Sequence, residues 1–348
     1  MLLFLLAAMT AIVPPNELAR SLHFTDKNDL WNIQLAQRIS SEAALEGIWI
    51  ASCNQENEDD DSKTSVGGDS VAHVEISRQG PAGIRLFCRD PSNDEALAAA
   101  MEVLSTAIKY IQEDMAKKDQ GGPINPLIVV GFGSLDRRLI PDLRAWLESN
   151  YSIERAWENP CGMWVFHGDS STGSGSSDAV QDAQDLPPNG RLRLLTEDDA
   201  PLVNARWEYS SEDSLPMIQK MIALSESTFG GCMGLEVDNT LVAWNCRYLD
   251  GSIGMLWTEE AHRKRGYGRL VVNAAVKSIL ERRCVSPSAS NIPIDGDTIS
   301  AKLPLFSYTV DTNNISQDLL TKLNWQRVAD ADWVGFTLLP KDKARPSL

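Results

Sequence analysis

Basic residues are scarce in this chain of 348 residues. It has 32 Lys and Arg compared with 48 Asp and Glu, and its net charge at pH 7 is −16. A surface of that sign repels phosphate backbones, so nucleic acid is excluded as a general partner. An anionic ligand must therefore be held by a local group of cations. Each cluster of Arg and Lys becomes informative for that reason.

Histidine is also rare, with 4 in the chain, and none of the 6 cysteines belongs to a Cys-x-x-Cys pair. This pattern argues against a zinc site and against a disulfide framework, and we expect no metal. Buried free thiols in a reducing compartment are the better interpretation of scattered cysteines in a chain of this length.

The apolar run at residues 2–13 is too short to span a bilayer, and no Lys or Arg precedes it, since the first positive residue is Arg20. Two interpretations stay open for it, a cleaved secretory signal or a first helix buried in the N-terminal domain. We expect no membrane span.

A segment rich in Ser, Gly, Asp and Pro occupies residues 169–190 and offers almost nothing to bury. Such a composition predicts a flexible linker. It divides the chain into an N-terminal domain, 1–168, and a C-terminal domain, 191–340, in keeping with the two domains that this length favours. Two other polar stretches, 55–70 and 285–303, indicate a solvated loop and an insert.

Hydrophobic periodicity predicts α/β order in both halves, with a mostly antiparallel sheet flanked by helices. Before the linker, strands are expected at 47–53, 71–77, 84–88 and 127–130, helices at 93–117 and up to Ser149, and a hairpin turning at 159–162. After it, strands are expected at 192–195, 231–237, 241–248, 253–258, 306–310 and 333–338, and helices at 199–207, 214–224, 266–282 and 316–323. Both halves end alike, which suggests a duplication.

The most informative stretch lies between the strand at 253–258 and the following helix, and reads Arg263-Lys264-Arg265-Gly266-Tyr267-Gly268-Arg269. Glycines permit a close approach of the backbone to a ligand, and the N–H groups at a helix start point outward, unsatisfied. With four neighbouring cations, these groups predict an anion site suited to a diphosphate. The alternative is a solvated basic helix start.

Arg263-x-x-Gly266-x-Gly268 after a strand resembles the pyrophosphate loop of the GNAT acetyltransferase superfamily, whose amides hold the diphosphate of coenzyme A. The later segment running from Asn313 through Ser316, Leu319 and Leu323 to Trp325 resembles that superfamily's helix beside the pantetheine arm. The resemblance implies a GNAT-type fold that uses acetyl-CoA or a longer acyl-CoA as co-substrate.

Within that superfamily the chain looks most like the glycine N-acyltransferase family. The resemblance rests on three segments, which are Val203-Asn204-x-x-Trp207-Glu208-Tyr209, Leu241-Val242-Ala243-Trp244 and Gly254-Met255-Leu256-Trp257-Thr258. It implies a degenerate acyltransferase-like half before the active one. It also suggests the mitochondrion, and the cytoplasm stays open because no presequence is evident.

For the chemistry, the strand would offer N–H groups to the thioester oxygen, with Leu256 and Thr258 as the donors by count. The family's general-base Glu position falls on Ser252, so the candidates for the base are Asp250, Glu236 or a chain of water molecules. Tyr308 or Tyr267 could protonate the leaving thiolate, since the superfamily's frequent Tyr falls on Leu320. Asn313 could bond the pantetheine amides or cap its helix. Trp207, Trp244 and Trp257 line a pocket or form core.

The expected function is transfer of an acetyl or longer acyl group from coenzyme A to the amino group of glycine or another small amine. Two alternatives stay open, an N-acetyltransferase of the same fold acting on a protein or a polyamine, and a coenzyme-A-binding interaction protein without turnover. We expect a monomer or homodimer whose partner is a small-molecule amine or amino acid.

Overall fold

The computed structural model describes residues 9–12, 48–53, 72–76, 83–88, 90–118, 127–166, 186–211, 214–285 and 304–341. These residues form two compact units, which are described separately. Unit 1 comprises the described residues up to Gly162 together with those from Ala329 on, and unit 2 comprises those in Met163–Val328. The loop at 55–70, most of the linker and the insert after Val285 lie outside the described residues.

The strands are β1 (Met9–Ile12), β2 (Ile48–Cys53), β3 (Ala72–Ile76), β4 (Gly83–Cys88), β5 (Ile128–Asp136), β6 (Tyr151–Asn159), β7 (Cys161–Phe166), β8 (Gly190–Leu194), β9 (Met233–Val237), β10 (Thr240–Arg247), β11 (Ile253–Thr258), β12 (Leu305–Val310) and β13 (Trp325–Pro340). The α-helices are α1 (Asp94–Lys118), α2 (Ile140–Asn150), α3 (Ala200–Arg206), α4 (Ser214–Leu224), α5 (Tyr267–Val285) and α6 (Asn314–Lys322). Short 3-10 turns precede α2, α3 and α5, and a π-helical turn follows α4.

The sheet of unit 1 runs in the order β1-β2-β3-β4-β5-β13, with β6 also pairing to β13. Its strands are antiparallel except for β4 and β5, which are parallel because α1 crosses between them. The helix α1 packs on this sheet through small and apolar residues at three- and four-residue spacing, among them Ala100, Leu104, Ala107 and Ile111. The mixed, mostly antiparallel α/β class predicted from the sequence is confirmed.

The sheet of unit 2 contains the order β12-β11-β10-β9-β8 and repeats the plan of unit 1. Antiparallel strands lead to β11, the helix α5 crosses over, and β12 then lies parallel to β11. In both halves of the chain a helix and a strand follow this crossover, as the shared order in the sequence suggested. Because α5 connects two parallel neighbours, its first turn stands at the end of β11.

Two sequence-based expectations are wrong. Residues 9–12 do not belong to a buried first helix but form β1, antiparallel to β2, where the β-branched Thr10 and Ile12 suit a strand. The hairpin at 159–162 is also absent, because β6 pairs with β13 and only Pro160 separates β6 from β7. One residue cannot reverse a chain between paired strands.

A buried carboxylate joins three parts of unit 1. Asp332 is fully buried and accepts hydrogen bonds from Arg137 Nε and Arg137 Nη2, each at 2.8 Å, and from the backbone N–H of Cys161 at 2.9 Å. Arg137 also reaches the more exposed Asp330 at 3.1 Å. The same guanidinium therefore has one buried and one exposed carboxylate partner.

Replacing Asp332 by Ala is expected to destabilise unit 1 by about 1.5–3 kcal/mol, because it removes a fully buried carboxylate that accepts charge-assisted hydrogen bonds from Arg137. The matched variant Asp330→Ala, which breaks the exposed pair, should cost no more than about 1 kcal/mol. Urea unfolding of both variants measures the difference. Equal losses would contradict the role assigned to burial.

No helix among the described residues is long and apolar enough to cross a membrane.

Candidate coenzyme A site

The chain between β11 and α5 forms a concave run of backbone amides. Lys264 and Gly266 both take left-handed backbone angles, with φ of 60° and 81°, so successive N–H groups turn toward one side. Within the described chain, the N–H groups of residues 264–268 donate no hydrogen bond. The helical ladder of α5 includes Leu270 N–H to the Gly266 carbonyl at 3.2 Å. Unsatisfied amides at the positive end of a helix constitute an anion site.

The two glycines keep this run of amides open. A Cβ on Gly266 would meet no atom within 4 Å, and its positive φ disfavours other residues. A Cβ on Gly268 would stand 3.5 Å from Leu319 Cδ2, 3.8 Å from Thr258 Oγ1 and 4.0 Å from Leu256 Cδ2. Gly268 therefore lies where α5, α6 and β11 come together, and leaves that junction free of a side chain.

The equivalent helix start in unit 1 is built in the opposite way. The Asn93 side chain accepts hydrogen bonds from the N–H groups of Glu95 and Ala96 at 2.9 and 3.1 Å. Asp90 accepts from the backbone and the hydroxyl of Ser92, and Asp94 and Glu95 add negative charge to the first turn. Side chains thus accept hydrogen bonds from the N–H groups at this helix start and place negative charge beside them. This helix start is therefore unsuited to binding a diphosphate.

The predicted cations differ in their surroundings. Lys264 and Arg265 are exposed beside the open amides. Arg263 turns back on β11, where its Nε donates to the Thr258 carbonyl at 3.0 Å and its guanidinium lies 5.0 Å from the centre of the Trp257 ring. Arg269 is half-buried and engaged elsewhere in the chain. Lys264 and Arg265 are therefore the cations best situated to meet a phosphate.

The strand β11 parts from β12 directly before this loop. The two strands are paired at one position, Ile253 with Ser307. The ladder between β10 and β11 shifts register after Trp244, and Met255 stands in the bulge with a φ of 49°. A bulge inserts a residue and bends its strand. Beyond Ile253, the N–H groups of β11 that face β12 consequently meet a gap instead of a ladder partner.

The predicted base candidates lie in unlike environments. Asp250 is 5% exposed and accepts from Ser252 Oγ at 2.6 Å and Ser252 N at 3.0 Å, in the turn between β10 and β11. It stands three residues before the one paired position of β11 and β12. Glu236 instead binds Arg191 and Arg193, each at 2.6 Å, and these hydrogen bonds hold the pKa of its carboxyl below the ordinary value. A carboxylate held in two ion pairs is a poor base. Asp250 is therefore the remaining candidate for the general base.

The predicted acids are tyrosines on different elements. Tyr308 is half-buried on β12, one residue after the paired Ser307, and meets Phe306 edge-on with ring centroids 5.5 Å apart. Tyr267 is 6% exposed and stacks on His262 at 6.0 Å within the core. Leu320, at the position where the superfamily often has Tyr, is also buried. Only Tyr308 combines partial exposure with a location at the gap.

Asn313 caps α6, since its side-chain oxygen accepts from the N–H of Ser316 at 3.1 Å. The capping interpretation is confirmed. Contact with a pantetheine arm stays a prediction, as do the other site assignments.

Sequence reasoning missed Tyr248, the residue directly after β10. Tyr248 lies against β11, because a Cβ on Gly254 would stand 2.5 Å from its ring. Burial raises the pKa of the Tyr248 hydroxyl well above its ordinary value. In the sequence, only the Trp-x-Tyr spacing at 207–209 and the glycine within a strand at Gly254 indicated that aromatic side chains pack against this part of the sheet.

The geometry fits coenzyme A, because unsatisfied amides and exposed cations adjoin a gap between two parting strands. A diphosphate could be bound at residues 264–268 and an extended arm along Gly268, Leu256 and Thr258. Among the described residues, no group of three or more His, Cys, Asp or Glu could hold a metal ion.

The chain is similar to several known proteins. The family model described as FR47-like protein matches residues 230–291, which include the loop. A solved Drosophila protein aligns over 96% of this chain and 99% of its own, at 16% identity and a TM-score of 0.60. A GCN5-related N-acetyltransferase from Sphaerobacter thermophilus aligns over 95% and 96%, at 11% identity and a TM-score of 0.52. No curated protein matches the sequence.

The chain therefore has the fold of the GNAT acetyltransferases, as the sequence predicted. Acetyl-CoA or acyl-CoA is the co-substrate of that fold family. Nothing in these similarities singles out the glycine N-acyltransferases, so the acceptor has to be argued from the residues.

Proposed function

We propose that this protein is an acyl-CoA-dependent N-acyltransferase that acylates the amino group of a small acceptor. The observation that carries the proposal is the set of open amides at residues 264–268 beside the gap between β11 and β12. A diphosphate at the amides would direct the rest of the donor along Gly268 into that gap. An acyl thioester supplies an activated carbonyl carbon and a thiolate leaving group.

The backbone of β11 would stabilise the charge that develops during transfer. Its N–H groups beyond the bulge at Met255, those of Leu256 or Thr258 by position, face the gap and can donate to the carbonyl oxygen. One such fixed donor typically accounts for about 100- to 1,000-fold in rate. Because β11 is not paired with β12 at these residues, their N–H groups can donate to the carbonyl oxygen without first breaking a hydrogen bond between the strands.

A protonated amine first loses one proton to solvent. The neutral amine nitrogen then forms the new bond to the acyl carbon while the carbon–sulfur bond breaks, so a second proton must leave nitrogen and one must reach sulfur. Asp250, directly or through water, is the candidate to take the proton from nitrogen, and Tyr308 the candidate to give the proton to sulfur. Trp257 would border the reacting groups, since it follows Leu256 on the same strand. Glycine, another small amine or a polyamine would each satisfy this chemistry.

The function is tested by thiol release from acetyl-CoA and from longer acyl-CoAs, with a panel of primary amines. We compare wild type with Arg265→Ala and, as a control, with Arg155→Ala, an exposed arginine of β6 in unit 1. Loss of one charge-assisted hydrogen bond to phosphate should raise KM for acyl-CoA about tenfold in the first variant only.

Thiol release that requires an amine and is weakened by Arg265→Ala alone supports the proposal. Binding of coenzyme A without turnover on any amine would refute catalysis and favour the non-catalytic alternative. Equal behaviour of the two arginine variants would refute the assignment of the loop.

A further inference from the structure

A cluster of aromatic side chains covers the face of the unit 2 sheet that carries α3 and α4. Trp207 and Tyr209 follow α3, Tyr248 directly follows β10, and Trp257 lies on β11, so three separate segments supply the rings. We call these four residues the aromatic cluster. Trp207, Tyr248 and Trp257 pack with the fully buried Trp244, whose ring lies 6.4 Å from that of Trp257.

The rings of the cluster are held in place by specific contacts. Trp207 and Tyr209 meet edge-on with centroids 6.2 Å apart, and Trp207 and Tyr248 pack against the same buried group of side chains, which includes Trp244. Tyr248 rests on the backbone of Gly254, which precedes the bulge. The cluster therefore adjoins the strand segment at which the acyl group would be transferred, on the face that Trp257 shares with α3 and α4.

Two features of the cluster are unusual for a core. Tyr209 is 49% exposed, although it is one of the large aromatic residues that normally bury most of their surface. The indole Nε1 of Trp257 is buried and makes no hydrogen bond within the described chain, whereas buried indoles usually find a partner. The half-exposed ring of Tyr209 and the indole N–H of Trp257, both beside the strand at which the acyl group would be transferred, suggest a surface that binds a ligand.

The charges around the cluster argue against an acceptor that carries a carboxylate. Arg206 is paired with Glu259 at 2.9 Å, and Arg263 is bound to Thr258 and stacked on Trp257. Both cations that adjoin the cluster are thus engaged. The pKa of Tyr248 is raised chiefly by burial and further by the nearby charge of Asp250, and Glu208 is exposed between Trp207 and Tyr209 in the sequence. This environment favours a cationic amine over an amino acid.

We propose that the acceptor is an arylalkylamine, a primary amine joined by a short chain to an aromatic ring, whose ring packs against Trp207 and Tyr209. The inference rests on the proposed function for its chemistry, and it narrows the substrate class. Flat rings pack edge-to-face or offset on aromatic side chains, and the short chain carries the nitrogen from the cluster to the bulge of β11.

The test compares phenethylamine and tryptamine with glycine and n-hexylamine, an aliphatic amine of similar reach, at saturating acyl-CoA. We expect the arylalkylamines to have the highest kcat/KM. Tyr209→Ala, which trims an exposed ring and leaves the core intact, should raise KM for phenethylamine about tenfold while KM for n-hexylamine changes little. Trp157→Ala, which removes an exposed ring of unit 1, serves as the matched control.

Calorimetry with phenethylamine and the protein separates this inference from the proposed function. Binding that Tyr209→Ala weakens, without thiol release, supports the aromatic site and refutes acyl transfer. Turnover of glycine above every arylalkylamine, or a Tyr209→Ala effect shared equally by n-hexylamine, refutes the aromatic site and leaves acyl transfer standing. No binding and no turnover refute both.

Discussion

Gly268→Asp is expected to weaken binding of acetyl-CoA by about 100-fold, since it sets a carboxylate against the diphosphate and blocks hydrogen bonds to a charged group that contribute about 1.5–3 kcal/mol each. The position has room for a Cβ, with its nearest neighbour at 3.5 Å, so the fold should be retained. Gly268→Ala adds the Cβ without the charge. It should weaken binding by about tenfold, through the lost close approach alone.

Lys277→Gln is the control for charge. It changes the net charge by the same amount as Gly268→Asp, on the same helix, about 13 Å further along the axis at about 1.5 Å per residue. Calorimetric titration with acetyl-CoA should give wild-type affinity for this variant. If Gly268→Asp also binds acetyl-CoA like wild type, the diphosphate is bound elsewhere.

Met255→Ile is expected to reduce kcat by about 100-fold, the typical loss of one N–H donor to a developing oxyanion. Met255 has a φ of 49°, a region that a β-branched residue strongly disfavours. The variant should straighten the bulge and turn the N–H groups of β11 away from the gap. Because the amides at 264–268 are untouched, KM for acyl-CoA should stay near its wild-type value.

Met255→Gly is the matched variant, since glycine adopts positive φ readily and keeps the bulge. Steady-state thiol release should give a kcat close to wild type for this variant, although it loses a side chain from the packed face. Far-UV circular dichroism verifies that both proteins are folded. A wild-type kcat for Met255→Ile would show that the bulge has no part in the chemistry.

Much of the fold could be predicted, because apolar periodicity is strongest where elements are buried on one face. The strand Ile253–Thr258 and the helix Ser214–Leu224 have the bounds that the sequence predicted. β13 was expected at 333–338 but starts at Trp325, in a segment too polar to read as a strand. Its partners, β5 and β6, lie far away in the chain, and such pairing leaves little local trace.

The loop at 263–269 was predictable because glycine and arginine spacing directly reflects backbone freedom and charge. The bulge at Met255 was not, since methionine carries no signal for a positive φ. The engagement of Glu236 by Arg191 and Arg193 depends on the pairing of β8 with β9, which a single sequence does not specify. The domain boundaries at 168 and 191 stay predictions.

The contrast between the two crossover helices has a consequence for the free energy of the molecule. A side-chain cap such as Asn93 stabilises a helix by about 1 kcal/mol, and α5 begins without that contribution. An anion bound at residues 264–268 would supply it instead. Unit 2 would then resist heat better as the ligand concentration rises, whereas α1 is already secured by the chain's own side chains.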